Sequence, residues 1–267
     1  MTTAYQAPAA PPVRTATFAD AVRSEWTKIR TVRSTLWTLG VMLLLVVGIG
    51  LLVALAMSGT SVGSFPVQAA GFFGVLLGNL CVITLGVLVI SSEFSTGMIR
   101  ITLTFCPSRS RVLAAKALVF FLLAFVLTTA ATSLVAAVDS AMITTRGASP
   151  SGGEWLRATV GTGLYVALLG LLALAVGTLL RHSAGAITTM LGVVLLPLLL
   201  ALFMMTENLQ RVRTALIEYS VPNALAALYG IPMLSSGPVG WTPLWILAGV
   251  TAVVLAAAFA ALGRRDV

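Results

Sequence analysis

The chain alternates between long apolar runs and short polar breaks. Six runs reach the roughly 20 residues that an α-helix needs to cross the hydrocarbon core of a bilayer. They are Leu36–Met57, Gly71–Ser91, Ala117–Val138, Ala158–Leu180, Ala186–Met205 and Thr242–Leu262. None of them contains Asp, Glu, Lys or Arg. One such residue at a helix centre costs about 2.5–3.5 kcal/mol on insertion. The pattern therefore predicts an all-α polytopic membrane protein with six transmembrane helices.

The polar breaks carry patterns of their own. Residues 1–16, "MTTAYQAPAAPPVRTA", are Ala/Pro-rich and read as a disordered tail before a single transmembrane domain at 17–267. Thr17 and Asp20 fit a helix N-cap with its acidic partner three residues on. Phe18, Val22, Trp26, Ile29 and Val32 follow at helical spacing, while Arg23, Thr27, Lys28, Arg30 and Thr31 fall largely off that face. This predicts a basic N-terminal interfacial helix along the inner membrane surface, with Trp26, Lys28, Arg30 and Arg33 at the headgroups. The plainer reading is a polar lead-in that satisfies the positive-inside rule. Before the last span, Leu209, Val212, Leu216 and Ile217 form a stripe, and Pro222 opens a second short helix with Gly230 near its end. Both pieces are too short to span. They read as short outer helices dipping into the membrane, or as an ordinary outer loop.

The largest break is "SSEFSTGMIRITLTFCPSRSRVLAAK", Ser91–Lys116. Ile99, Ile101, Leu103 and Phe105 alternate with polar residues, as in a strand. Phe94, Met98, Ile101 and Phe105 also fall at helical spacing. A lone strand would leave its backbone unpaired beside a membrane, so a short helix ending before Pro107 is preferred.

Composition supports the same class. Of 267 residues, 58% are hydrophobic and 9% charged, against about 25% charged in an ordinary soluble domain. Twelve of the sixteen Lys and Arg residues fall on one side of the predicted topology and four on the other. The acidic residues divide evenly, so the net charge of +8 belongs to one face. The positive-inside rule then places both termini in the cytoplasm. No aromatic-basic reading surface accompanies the charge, so no nucleic-acid partner is expected; membrane lipids are. Cys81 and Cys106 sit at different predicted depths, and no disulfide between them is expected. Ala54-Leu55-Ala56 mimics a signal cleavage site, but its apolar run is span-length and follows a long polar lead-in, so no cleavage is expected there.

Chemistry is sparse. His182 is the single histidine, in a short cytoplasmic turn, and reads as a solvated loop residue. No H-E-x-x-H, G-x-S-x-G or metal-spaced Cys pair occurs, nor any G-x-x-x-x-G-K-[ST] phosphate loop. Ion-coupled carriers usually keep carboxylates near mid-membrane. Here Glu93 and Asp139 lie at span ends, and Asn79 within the second span either lines a pathway or contacts a neighbouring helix. Gly74 with Gly78, and Ala173 with Gly177, are small-residue pairs that permit close helix approach.

The order Glu93, Gly97, Arg100, Leu103, Pro107, Arg109 and Lys116 resembles the block after the second span of type-2 ABC exporter permeases. "SEWTKIRTVRSTLW", Ser24–Trp37, resembles the interfacial helix that opens bacterial members, and "YSVPNALAAL", Tyr219–Leu228, their short outer re-entrant helices. The resemblance implies a cytoplasmic coupling helix, with Glu93, Gly97, Arg100, Pro107, Arg109 and Lys116 as ATPase-coupling residues. It implies a bacterial plasma-membrane permease without enzymatic activity, working with a second permease chain. ATP and Mg would sit on a separate ABC ATP-binding subunit, leaving no cofactor in this chain. The alternatives are a non-transporting scaffold or immunity-type protein, or an ion-coupled secondary carrier.

Overall fold

The computed structural model describes residues 17–58, 66–98, 104, 108–142, 151–234 and 236–264. The predicted disordered tail, Arg100 and Pro107 lie outside the described residues. So do the middle of the Ser91–Lys116 break, residues 99–103 and 105–107, and the turn-rich stretch before Ser151. Among the described residues every element is helical.

Helix α1 spans Phe18–Thr31 and α2 Arg33–Met57. A 3₁₀ turn, Val67–Gly71, leads into α3, Phe72–Ser95. Helix α4 is Arg109–Met142, α5 is Gly152–Leu180 and α6 is Ser183–Phe203. Two short helices follow, α7 at Gln210–Glu218 and α8 at Val221–Leu228, and α9, Thr242–Arg264, ends the fold. Six of these elements are long and apolar enough to cross a membrane, as the run pattern predicts.

Several helices outrun the apolar runs that announce them. Helix α4 begins at Arg109, eight residues before the expected Ala117. A hydropathy window stops at the first charge, but a helix continues wherever its backbone bonds are satisfied. Helix α5 starts six residues early because Ser151 and Glu154 form a reciprocal capping box. Helix α6 starts at Ser183, and the Nδ1 of His182 accepts the Gly185 amide at 3.0 Å. The lone histidine is therefore a helix cap rather than a free loop residue.

At α1 the predicted Thr17–Asp20 capping box is present in both directions. Replacing Thr17 by Ala should cost about 1 kcal/mol locally. Faster amide exchange in the first turn of α1, with the rest of the fold unchanged, is the expected readout.

Helix α5 is the centre of the bundle. Two-thirds of its apolar window is buried, against about a fifth for α6 and α9. It packs on α3, α4, α9 and α6. Close approach to α3 depends on glycine: a Cβ at Gly86 would lie 2.4 Å from the Gly170 carbonyl oxygen. The predicted small-residue pairs also sit at contacts. Gly74 and Gly78 face α2 through Val46, and Gly177 faces Ile90 of α3. Large apolar side chains such as Trp37, Leu44, Leu52, Phe203, Trp245 and Val253 stay exposed on the outer helices. So much exposed apolar surface suits lipid contact, not water.

The bundle has two distinct ends. One, the basic end, gathers α1, the end of α3, the start of α4 and the end of α9. Arg109 donates to the Leu262 carbonyl at 3.2 Å, and the Arg181 guanidinium lies 5.1 Å over the Phe94 ring. At the opposite end Arg157 donates to the Leu228 carbonyl, and Tyr229 packs against Phe72.

Candidate functional site: a buried ring of charge at the basic end

Helix α1 presents an unexpected face to the bundle. Its apolar stripe is split: Phe18, Trp26 and Val32 point outward, each more than 40% exposed, while Ile29 is buried. The buried line runs from Val22 through Glu25 to Lys28 and Ile29. Lys28 was expected off the packed face, yet it is half-buried beside Glu25. The reason is electrostatic: a partner carboxylate and ammonium wait on α3 and α4.

Glu25, Lys28, Glu93 and Lys116 form a closed ring of alternating charge. The Lys28 Nζ donates to Glu25 Oε1 at 2.8 Å and to Glu93 Oε1 at 2.7 Å. The Lys116 Nζ donates to Glu25 Oε2 at 2.5 Å and to Glu93 Oε1 at 2.9 Å. Two cations and two anions balance. Lys116 is 2% exposed and both carboxylates 5%. A single buried ion would cost several kcal/mol in desolvation; the ring offsets this by giving each charge two opposite neighbours. Glu93 Oε2 stays buried without a partner among the described residues, so the ring is not fully satisfied.

Burial draws protons off the Lys28 ammonium, but hydrogen bonds and attraction from Glu25 and Glu93 outweigh it. The result holds its pKa above the ordinary lysine value. Charged Lys28 therefore adds stability that is fully present below the unfolded lysine value of about 10.4 and is lost as pH rises through the higher folded value. Relative to a Lys28→Gln variant, wild-type protein should lose its melting-temperature advantage only in that alkaline window. An advantage unchanged throughout the window would contradict the pairing.

The ring brings together three residues singled out in the sequence, Lys28, Glu93 and Lys116, and adds Glu25. Two signals marked Glu25: it lies three residues before Lys28, and three after Val22 on the buried line. Trp26, Arg30 and Arg33 are exposed and outside the ring. Gly97 closes α3 in the left-handed region at φ +71°, where a side chain would be strained. Arg109 ties α4 to α9. A groove of about 220 Å³ runs along the ring between α1, α2 and α3, walled by Ile29, Val32, Leu85, Leu88 and Val89.

Asn79 belongs elsewhere. It is 1% exposed, packed among Met42, Val46, Val75, Thr128 and Val166, and its amide has no hydrogen-bond partner among the described residues. A further buried polar group lies at the opposite end. Both oxygens of Asp139 are buried without hydrogen-bond partners among the described residues, near the Tyr229 hydroxyl, which also lies by that of Thr162. Burial raises the Tyr229 phenol well above its usual range. A π-helical turn at Arg157–Gly161 lies just before Thr162 in α5. Among the described residues no three His, Cys, Asp or Glu side chains gather to hold a metal.

Six apolar helices and a charge ring confined to one end define a multi-pass helical membrane protein. No family model matches the chain, and no curated protein is significantly similar to it.

Proposed function

We propose that the chain is the permease subunit of an ATP-driven ABC exporter of the type-2 class, in a bacterial plasma membrane with both termini cytoplasmic. The observation that carries the proposal is the ring. Glu93 and Lys116 pair at 2.9 Å across the base of the basic segment between α3 and α4. Glu25 and Lys28 fasten α1 to the same point. A push on that segment would reach α1, α3 and α4 together, which is what a coupling element needs. Glu93 and Lys116 would then transmit motion from inside the fold, rather than touch the ATPase themselves. Contact would fall to Gly97, Arg100, Pro107 and Arg109 and to the exposed face of α1 with Trp26, Arg30 and Arg33. On this reading α1 lies along the inner leaflet, and α7 and α8 dip into the outer one. Membrane lipids surround the spans, a second permease chain completes the pathway, and ATP and Mg bind the partner subunit. The permease itself performs no covalent chemistry.

Pull-down of the tagged chain from its native membrane after crosslinking is the direct test. Recovery of a subunit bearing a G-x-x-x-x-G-K-[ST] phosphate loop is expected. Recovery of no ATPase would overturn the proposal and favour a scaffold. Arg100→Ala should uncouple ATP turnover while leaving membrane insertion normal; transport unchanged in that variant would count against the assigned contact.

A further inference from the structure

At the end opposite the charge ring lies a groove at the lower limit of the ~300–1,000 Å³ usual for small-molecule pockets, ample for part of a lipid. Its volume is about 310 Å³, and it opens between the end of α6 and the short helix α7. Leu198 and Leu202 of α6, Ile217 of α7, and Met233 and Leu234 beyond α8 supply apolar walls. Arg213 of α7 is the charged residue lining it. The Arg213 Nε is buried and has no hydrogen-bond partner among the described residues. Arg213 takes part in no ion pair among the described residues. The nearest acidic side chain along α7, Glu218, accepts the Ser236 hydroxyl.

A half-buried arginine in an apolar groove, its Nε shielded and unpaired, calls for an anion, because an unpaired buried donor costs free energy that a phosphate oxygen recovers. The apolar walls call for a hydrocarbon chain. The groove also runs onto the exposed face of α6, where Leu195, Leu199, Leu202 and Phe203 stand clear of the bundle. Arg213 lies ten residues beyond the end of α6 but lines the groove beside the last turns of that helix, the end that approaches the headgroups when α6 crosses a bilayer. We propose that this groove binds an anionic phospholipid of the surrounding membrane, with its phosphate on Arg213 and an acyl chain along α6. The proposal rests on the membrane-spanning architecture alone and stands whether or not the chain is an exporter.

Native mass spectrometry of the full-length protein, delipidated in mild detergent and titrated with phosphatidylglycerol or phosphatidylcholine, tests it. Wild-type protein should retain phosphatidylglycerol in preference to phosphatidylcholine. Arg213→Gln should weaken that retention about tenfold, the usual scale of a lost charge-assisted hydrogen bond. Arg213→Lys should keep part of it, and Arg211→Gln, two residues away and exposed, should keep all of it. Ile217→Trp, which fills the groove and leaves Arg213 in place, should reduce retention too. It carries the test if Arg213→Gln fails to fold. Equal retention of the two lipids by wild type would overturn the proposal, as would an Arg213→Gln variant that binds like wild type. A loss in Arg211→Gln as large as in Arg213→Gln would reduce the effect to general charge and overturn it. So would a change of oligomeric state in Arg213→Gln with lipid retention intact, which would make the groove an interface between copies.

Discussion

Lys116→Met should destabilise the protein by about 3–5 kcal/mol, the usual cost of breaking a buried ion pair from one side. The substituted side chain fits the space. The cost comes from what remains: Glu25 and Glu93, both shielded from water, would share one half-buried ammonium, Lys28. Adding Glu25→Gln removes the excess charge and leaves Lys28 with Glu93. The double variant should therefore recover at least half of the loss in melting temperature. Strictly additive losses would mean that the four groups do not act as one network. The same single variant should release α1, read as faster amide exchange from Ala21 to Ile29 while α5 keeps its protection. Under the exporter proposal it should also uncouple ATP turnover, because α1 would no longer follow the segment between α3 and α4.

Gly86→Ala should be the second severe change, and it adds only a methyl group. The new Cβ would lie 2.4 Å from the Gly170 carbonyl oxygen and 3.3 Å from the Ala173 Cβ. The first of these is backbone and has no rotamer to escape into. The two most buried spans would have to move apart, which costs typically 1–3 kcal/mol in a packed core. Gly40→Ala in α2 makes the contrast. Nothing lies within 4 Å of a Cβ there. Alanine should be neutral or stabilising by up to about 1 kcal/mol at that exposed helical site. A melting-temperature comparison of the two variants decides the matter; equal shifts would mean that α3 and α5 are not in close contact at Gly86.

Both expectations turn on features that the apolar runs do not display. In the sequence Glu93 closes a span and Lys116 precedes one, so each looks like a solvated end charge. Their pairing depends on α3 and α4 returning to the same end of the bundle at the same height. Glu25 lies three residues before Lys28, a spacing that predicts a local helical pair of small effect; only the packing of α1 makes it a buried partner for Lys116. Gly74, Gly78 and Gly177 were legible as small residues in apolar helices. Gly86 and Gly170 carry a tighter contact but sit in no small-residue pair with the spacing sought. Arg213 was one more outer-loop cation until α6 and α7 closed a groove around it.

The sequence by itself determined six spanning helices from the order of apolar runs and the capped start of α1 from Thr17 and Asp20, while the two short helices before the last span stayed open against a plain outer loop. Each of these depends on properties local to a segment: length, hydropathy and the chemistry of a helix end. It also determined which end is basic, because charge is excluded from the cores and must collect where helices emerge. The tertiary structure alone decided which of those charges are buried, which face of α1 packs, and that α5 is the central helix. These are matters of distance between residues far apart in the chain. In a bundle whose helices are apolar on all sides, no amphipathic pattern records which side meets a neighbour and which meets lipid.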